Sequence, residues 1–288
     1  MATVRPRRSA LYVPGSNARA LEKARGLPAD VLILDLEDAV APGAKEEARR
    51  LVAAELARPG RPRQERVVRV NGLGSPWGEA DLRALARGGA DAILLPKVES
   101  ADRVRETEAL LARGDALPSV LWAMIETPRG VLRAPEIAAS CPRLACLVAG
   151  TSDLVKDLHA RHTPSRREVL TSLSLVVLAA RAQGLVALDG VHLDLDDDAG
   201  FEASCRQGLE LGFDGKTLIH PKTIEAANRV FAPEEGAVDR AKRVIAAHAE
   251  AATRGQGVVV VDGRLVEALH VEEARRIVAL AEAIAISG

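Results

Sequence analysis

The sequence predicts an α/β fold, a (β/α)8 or TIM barrel followed by a C-terminal helical extension, and three observations support it. Eight apolar runs of strand length precede residue 221, each followed by a helix or helix-like stretch. Eight β/α repeats within about 230 residues match the usual size of such a barrel. No glycine-rich dinucleotide fingerprint follows the first strand, which disfavours the alternative, an open doubly wound sheet.

The predicted strands end at turn residues or polar residues, and helical spacing fills most of the intervals between them. Pro14-Gly15 closes the first strand, Asn17 can cap the first helix, and the helix over 45–58 has apolar residues on one face. The predicted strands are residues 9–14, the run that starts at Val31, and residues 66–71, 91–97, 120–127, 144–150, 185–191 and 216–220. The predicted helices are residues 17–25, 45–58, 79–87, 100–113, 163–183 and 199–212.

Three strands begin in the same way, with glycine and then aspartate before the apolar run. These segments are 26–30, 88–91 and 212–214. Glycine is a common helix stop, which explains the first half of the signal.

Residues 1–232 form the predicted catalytic barrel, and residues 233–288 exceed what a barrel needs. This extension predicts a helix over 233–253, a short strand at 258–261 that turns at Asp262-Gly263, and a last helix over 271–286. It is either a packing appendix or a lid, in the second case over the active site of a neighbouring subunit.

Composition excludes several function classes. The net charge is −1 and aromatic residues make up 2% of the chain, which argues against binding to nucleic acids or to membrane surfaces. Three cysteines without metal-ligand spacing are typical of reduced thiols, and no targeting or membrane-spanning segment is visible. We therefore expect a cytoplasmic protein with a substantial core, since 48% of its residues are hydrophobic.

The predicted strand ends carry mostly acidic side chains. In such barrels ligands bind at the carboxyl ends of the strands. An acidic set without a Cys/His cluster suits Mg²⁺, which takes one or two protein carboxylates and leaves its other positions to water and substrate. Glu126 and Asp153 follow adjacent strands and form the best pair, although Asp153 could instead cap a helix. The strand-end residues are Asp35, Glu37, Asp38, Arg69, Asn71, Lys97, Glu126, Asp153 and His220.

Arg69 lies between two valines on a predicted buried strand, so it needs an anionic partner. That partner is either an internal acid, Glu37 or Asp38, or the carboxylate of a substrate gripped by the guanidinium fork. His220 precedes Pro221 at the start of a helix, which is more typical of a structural residue than of a catalyst.

Several segments together resemble the citrate lyase beta-subunit family, within the 2-keto-acid aldolase superfamily of Mg²⁺-dependent barrels. The resemblance covers nearly the whole chain in the right order. The matching segments are Arg8-Ser9-Ala10-Leu11-Tyr12-Val13-Pro14-Gly15-Ser16, Leu34-Asp35-Leu36-Glu37-Asp38-Ala39-Val40, Arg69-Val70-Asn71, Leu95-Pro96-Lys97-Val98-Glu99-Ser100, Ile125-Glu126-Thr127 with Gly130, Asp153-Leu154, Gly212-Phe213-Asp214-Gly215-Lys216 and Ile219-His220-Pro221.

The resemblance implies Mg²⁺ held by Glu126 and Asp153, with a substrate carboxylate or keto group near Arg69 and Glu126. It also implies a thioester substrate on coenzyme A (CoA) or an acyl-carrier protein, and a homo-oligomer, commonly a trimer. In lyase relatives a C-terminal acid from the adjacent subunit transfers the proton. That position corresponds here to Glu267 in Leu265-Val266-Glu267, where relatives usually have aspartate. Thr151-Ser152 also stands where many relatives have an acid.

The expected reaction is cleavage of a citryl, citramalyl or malyl thioester to an acetyl thioester and an α-keto acid. Arg69, Glu267 and Asp38 are the predicted catalytic residues. Arg69 would stabilise developing negative charge, and Glu267 would handle the proton. The alternatives are a malyl-thioester thioesterase of the same family, a subunit that is active only within a complex, and an aldolase for free keto acids.

Overall fold

The computed structural model describes residues 5–59, 63–85, 89–112 and 120–287. The chain divides into two compact units. Of the described residues, one unit contains those within Arg7–Phe231, and the other contains residues 232–287 together with Arg5 and Pro6.

The unit Arg7–Phe231 is a closed barrel of eight parallel strands, each paired with its neighbours in sequence order. This confirms the predicted (β/α)8 barrel. The strands are β1 (Ser9–Pro14), β2 (Val31–Asp35), β3 (Glu65–Arg69), β4 (Ala92–Leu95), β5 (Val120–Ile125), β6 (Leu144–Ala149), β7 (Val186–Asp189) and β8 (Gly215–Leu218).

Helices surround this barrel. They are α1 (Ala18–Ala24), α2 (Lys45–Leu56), α3 (Gly78–Leu85), α4 (Ala101–Leu111), α5 (Pro128–Leu132), α6 (Ala134–Ala138), α7 (Thr151–Asp157), α8 (Leu170–Ala182), α9 (Asp198–Leu211) and α10 (Ile224–Val230). Two short 3₁₀ helices, Pro42–Ala44 and Pro221–Thr223, precede α2 and α10.

Both faces of the barrel wall are buried, so the strands read as continuous apolar runs rather than as alternating ones. Alternate residues of each strand belong to different clusters: Ile33 and Val67 lie in one core cluster, whereas Leu34 and Val68 lie in the other. The first cluster fills the barrel, and the second packs the strands against the helices.

The aspartates that precede three strands have a common role in the structure. Asp30 accepts the backbone N–H of Arg8, Asp91 that of Arg66, and Asp214 that of Ala187, at 2.8–2.9 Å. Each carboxylate therefore joins the start of its own strand to the strand before it. Gly88 lies outside the described residues, and Gly212 ends α9 with a left-handed φ of 98°.

The structure corrects the predicted helices after β5 and β6. The prediction placed no helix over 128–138, where α5 and α6 lie, and one long helix over 163–183, where α8 starts only at Leu170. Arg166 explains the later start: its φ is 54°, and its guanidinium binds the buried Asp189. The prediction gave no bounds for α7, which directly follows β6. Its N-cap is Gly150, so Asp153, the expected cap, lies in its first turn instead.

We expect Gly212→Ala to lower the free energy of unfolding by about 1–2 kcal/mol, because left-handed backbone is unfavourable for a residue with a Cβ. The new Cβ would also lie 3.3 Å from Cγ1 of Val177. Urea denaturation measures the change. Gly43→Ala is the control, since it has no heavy atom within 4 Å of the added Cβ and no left-handed φ. Equal stability of both variants would contradict the prediction.

The C-terminal unit has its own core. It consists of α11 (Glu235–Thr253), a hairpin of β9 (Val259–Val261) and β10 (Arg264–Val266), and α12 (Ala268–Ser287). Side chains such as Val244, Val261 and Val271 form its apolar cluster. Among the described residues, no helix is long and apolar enough to cross a membrane.

Candidate active site

Asp35 and Arg69 end β2 and β3 and are direct partners in the register of these parallel strands. Arg69 donates from Nε to Oδ1 of Asp35 at 2.7 Å and from Nη2 to Oδ2 at 2.5 Å. Asp35 is fully buried, and its oxygens also accept the backbone N–H groups of Glu37 and Ala39. This bidentate pair fixes the guanidinium plane.

Two further contacts fix the position of the Arg69 guanidinium. Its Nη1 lies 3.2 Å from Oε2 of Glu37, and its Cζ lies 4.7 Å from the ring centroid of Tyr12. Burial opposes the charge, but the hydrogen bonds with Asp35 and the nearby acids leave the pKa of Arg69 raised. The expected internal partners were Glu37 or Asp38. Glu37 is one of them, whereas the main partner is Asp35, and Asp38 pairs with Lys97 instead.

Glu37 links two cations at this edge of the barrel. Its Oε1 accepts from Nζ of Lys97 at 2.7 Å, while its Oε2 faces Arg69. Asp38 lies 3.3 Å from the same ammonium. Burial raises the pKa of Glu37, whereas that of Asp38 is lowered, since the nearby Lys97 and Arg69 charges outweigh partial burial.

Glu126 directly follows β5, and the residue is 1% exposed. Its Oε1 accepts the backbone N–H of Lys97 at 2.7 Å. Burial, with the charges of Glu37 and Asp153, raises the pKa of Glu126 to about 7 against the opposing effect of Lys97. A cation bound next to Glu126 would therefore stabilise its charged form.

Gly150 separates the two candidate metal ligands. It caps the N-terminus of α7, and Asp153 lies half-buried in the first turn of that helix. A Cβ at Gly150 would come within 2.3 Å of Cβ and 2.7 Å of Oε2 of Glu126. Only glycine therefore lets α7 start this close to Glu126, which brings Asp153 into electrostatic range of it.

Two other strand-end residues have structural contacts. Asn71 accepts from Nζ of Lys45 and donates to the Leu36 carbonyl and to Asp81, all buried. His220 accepts the backbone N–H of Lys222 through Nδ1 and so caps the following 3₁₀ helix.

Glu267 belongs to the C-terminal unit and directly precedes α12. Its side chain is exposed, and its backbone N–H donates to Nδ1 of His270 at 3.1 Å. The exposed Leu265 and Leu269 flank it in the sequence.

The donor set fits Mg²⁺ and no softer metal. Within the described ranges, no three His, Cys, Asp or Glu side chains are grouped so that they could hold a metal ion by themselves. A carboxylate pair is what Mg²⁺ uses when substrate and water complete its shell. The orientation of Glu126 agrees with this, because no donor in the described part of the chain reaches its Oε2.

A cleft of about 610 Å³ lies next to Thr127 and the end of α7, and neither Glu126 nor Asp153 lines it. Its lining includes Thr127, which follows Glu126, and Lys156 and Asp157 at the end of α7.

Sequence reasoning missed three residues that shape the site. Asp35 was placed at the strand end without a role, although the period-2 alternation puts it on the same face as Ile33. Lys97 also had no role, and Gly150 was treated only as the end of a strand. The close approach of Gly150 to Glu126 has no local sequence signal.

Known proteins match this chain over most of its length. A family model described as HpcH/HpaI aldolase/citrate lyase matches residues 8–221. A (3S)-malyl-CoA thioesterase of Cereibacter sphaeroides (strain KD131 / KCTC 12085) is 52% identical over 280 residues, which is 97% of this chain and 96% of the relative. The citrate lyase subunit beta of Escherichia coli (strain K12) is 39% identical over 284 residues, 96% and 94% of the two chains.

Among solved structures, the chain is similar to the protein CitE from Mycobacterium tuberculosis in complex with magnesium, acetoacetate and coenzyme A. The two are 32% identical, with a TM-score of 0.76, over 95% of this chain and 97% of that one. The citrate lyase beta subunit from M. tuberculosis complexed with oxaloacetate and magnesium gives a TM-score of 0.68 at 32% identity, covering 81% of this chain and 100% of that one.

Proposed function

The chain belongs to the HpcH/HpaI aldolase/citrate lyase family, and from this premise we propose that it is a Mg²⁺-dependent enzyme for a malyl-type CoA thioester. The family membership confirms the resemblance that the motifs indicated. One observation carries the proposal: the buried Glu126 has one oxygen held by a backbone N–H and the other without a donor in the described residues, with Asp153 nearby.

We propose hydrolysis of the thioester as the reaction. The sequence analysis placed carbon–carbon cleavage first and hydrolysis second. The order changes because relatives named (3S)-malyl-CoA thioesterase are 52% identical over nearly the whole chain, whereas relatives named citrate lyase subunit beta are 39% identical. The name (3S)-malyl-CoA thioesterase also favours CoA over an acyl-carrier protein as the carrier of the acyl group.

In this proposal Glu126 and Asp153 hold Mg²⁺, which would act as a Lewis acid on substrate oxygens. Arg69, whose Nε and Nη2 are held by Asp35 and whose Nη1 lies beside Glu37, would supply positive charge to a substrate carboxylate or a developing oxyanion. Asp38, which lies at the same edge of the barrel, orients Lys97. Water attacks the thioester carbonyl, the carbon–sulfur bond breaks, and the products are malate and free CoA.

Glu267 is our candidate for proton transfer. In hydrolysis it would accept a proton from the attacking water, and the departing thiolate would take up a proton. Glutamate reaches one methylene further than the aspartate expected from the family pattern, so we propose that its backbone sits correspondingly further from the reacting atoms. We also propose that Glu267 comes from a neighbouring copy within a homo-oligomer, in line with the expected trimer.

Carbon–carbon cleavage is the second candidate, because the relatives named citrate lyase subunit beta also match nearly the whole chain. In that reaction a base takes the hydroxyl proton, and the bond between the hydroxyl carbon and the carbon α to the thioester breaks. The resulting thioester enolate then takes up a proton. An acetyl thioester and an α-keto acid leave. Arg69 would then stabilise the charge that develops during cleavage.

The products distinguish the two reactions. We expect the purified chain, given (3S)-malyl-CoA and Mg²⁺, to release free CoA and malate in equal amounts, measured by liquid chromatography with mass spectrometry. Acetyl-CoA with glyoxylate would instead establish the lyase reaction. No turnover by the chain alone would favour a subunit that needs a complex.

A matched pair of variants tests Glu267. We expect Glu267→Gln to lower the turnover rate by about 10²–10⁴-fold, the usual contribution of a general acid or base. Glu267→Asp should retain part of the activity, since it keeps the carboxylate. Equal rates for Glu267→Gln and the natural chain would remove Glu267 from the mechanism.

A further inference from the structure

Lys97 follows β4 with its backbone in the left-handed region, at a φ of 47°. This conformation is unfavourable for a residue with a Cβ and persists only where the surroundings impose it. Such positions concentrate at functional sites. Lysine has no local preference for this geometry, so the reason for it must lie in the contacts that the geometry permits.

The side chain of Lys97 helps to hold this backbone. Its ammonium lies 2.7 Å from Oε1 of Glu37 and 3.3 Å from Oδ2 of Asp38, both on the segment after β2. On the other side, the N–H of Val98 donates to the carbonyl of Met124 at 3.1 Å. Lys97 is thus tied on one side to the segment after β2 and on the other to β5.

The left-handed turn aims the backbone N–H of Lys97 at Glu126. The distance from this nitrogen to Oε1 of Glu126 is 2.7 Å. In the described residues no other donor reaches the Glu126 carboxylate, so this one bond decides which oxygen is occupied. Its Oε2 then lies on the side of Gly150, where the missing Cβ leaves room.

We propose that Lys97 is a positioning residue, whose left-handed backbone holds one oxygen of Glu126 and so presents the other to a divalent cation. This inference rests on the proposed Mg²⁺ site. It adds that the backbone conformation at residue 97, rather than the lysine charge, sets the geometry of Glu126. Groups that orient a metal ligand from outside the coordination shell strongly influence metal affinity.

Two variants that both lack the lysine ammonium separate the effect of the backbone conformation at residue 97 from that of the side-chain charge. Lys97→Gly keeps the N–H and adopts a positive φ without strain, whereas the β-branched Lys97→Val strongly disfavours it. We expect Lys97→Val to bind Mg²⁺ about 10- to 100-fold more weakly than Lys97→Gly, the usual effect of losing an outer-shell partner. Isothermal titration calorimetry of the full chain with MgCl₂, without substrate, measures both dissociation constants.

Thermal unfolding of both variants without metal is the control. If residue 97 had only a structural role, the two unfolding temperatures would differ but the two dissociation constants for Mg²⁺ would be equal. Equal constants in folded variants would overturn the inference. If Lys97→Val does not fold, Lys97→Ala takes its place. Weaker Mg²⁺ binding by Lys97→Ala than by Lys97→Gly supports the inference, and equal binding overturns it.

Absence of Mg²⁺ binding by the natural chain would overturn both the inference and the proposed function. Magnesium-dependent turnover by the natural chain with equal constants in the variants would overturn the inference alone.

Discussion

Glu126→Gln should reduce the Mg²⁺-dependent turnover of malyl-CoA by at least about 10³-fold, because a Lewis-acid metal contributes several kcal/mol to a transition state. Glutamine preserves the size of the side chain and can still accept the Lys97 N–H through its carbonyl oxygen. It removes the negative charge that the cation needs. Steady-state rates at saturating Mg²⁺ measure the loss.

The same variant should be at least as stable as the natural chain in the absence of metal. Burial raises the pKa of Glu126 to about 7, which shows that its charge is unfavourable in the folded state without a cation. Thermal unfolding with a chelator measures this. Glu108→Gln, in α4 and paired with Arg143, is the matched control and should leave turnover unchanged. Undiminished turnover of Glu126→Gln would remove this residue from the site.

Asp35→Ala should destabilise the barrel by about 3–5 kcal/mol, the cost of leaving a buried charge without its partner. Asp35 is fully buried, and the Arg69 fork donates two hydrogen bonds to it. Turnover should fall as well, because the guanidinium would no longer be held in one plane. Urea denaturation and steady-state rates measure the two effects.

A second substitution separates stability from function. Adding Arg69→Met to Asp35→Ala removes both charges, and such apolar replacements of buried pairs are often neutral or stabilising. We therefore expect the double variant to recover much of the lost stability while remaining inactive. Recovery of activity would mean that Arg69 serves only as an internal ion pair.

The sequence was sufficient to predict the barrel, because buried parallel strands are continuous apolar runs and each is bounded by turn residues. It was less informative about the connections. The Leu173–Ala180 stretch predicts a helix correctly, but the start of α8 depends on the distant pair between Arg166 and Asp189. The short helices α5 and α6 contain prolines at their first turns and too few residues for a clear period.

For the candidate site, the acidic residue types indicated Mg²⁺ chemistry, and their positions after predicted strands indicated the carboxyl-terminal edge of the barrel. That Arg69 requires an acid follows from its burial, and the acid could have been identified from the register. In neighbouring parallel strands Ile33 pairs with Val67 and Asp35 with Arg69, so both side chains point the same way. The backbone of Lys97 could not have been predicted, since its φ depends on contacts with residues after β2 and β5.

The three aspartates that bind the backbone of a preceding strand have an evolutionary consequence. Asp30, Asp91 and Asp214 fix strand alignment from the floor of the barrel, and the acids of the proposed site stand at its opposite rim. A slip of one residue would turn every side chain of a strand to the other face. Because these contacts secure the alignment at the floor, substitutions at the rim can change the side chains of the proposed site while the strands keep their alignment.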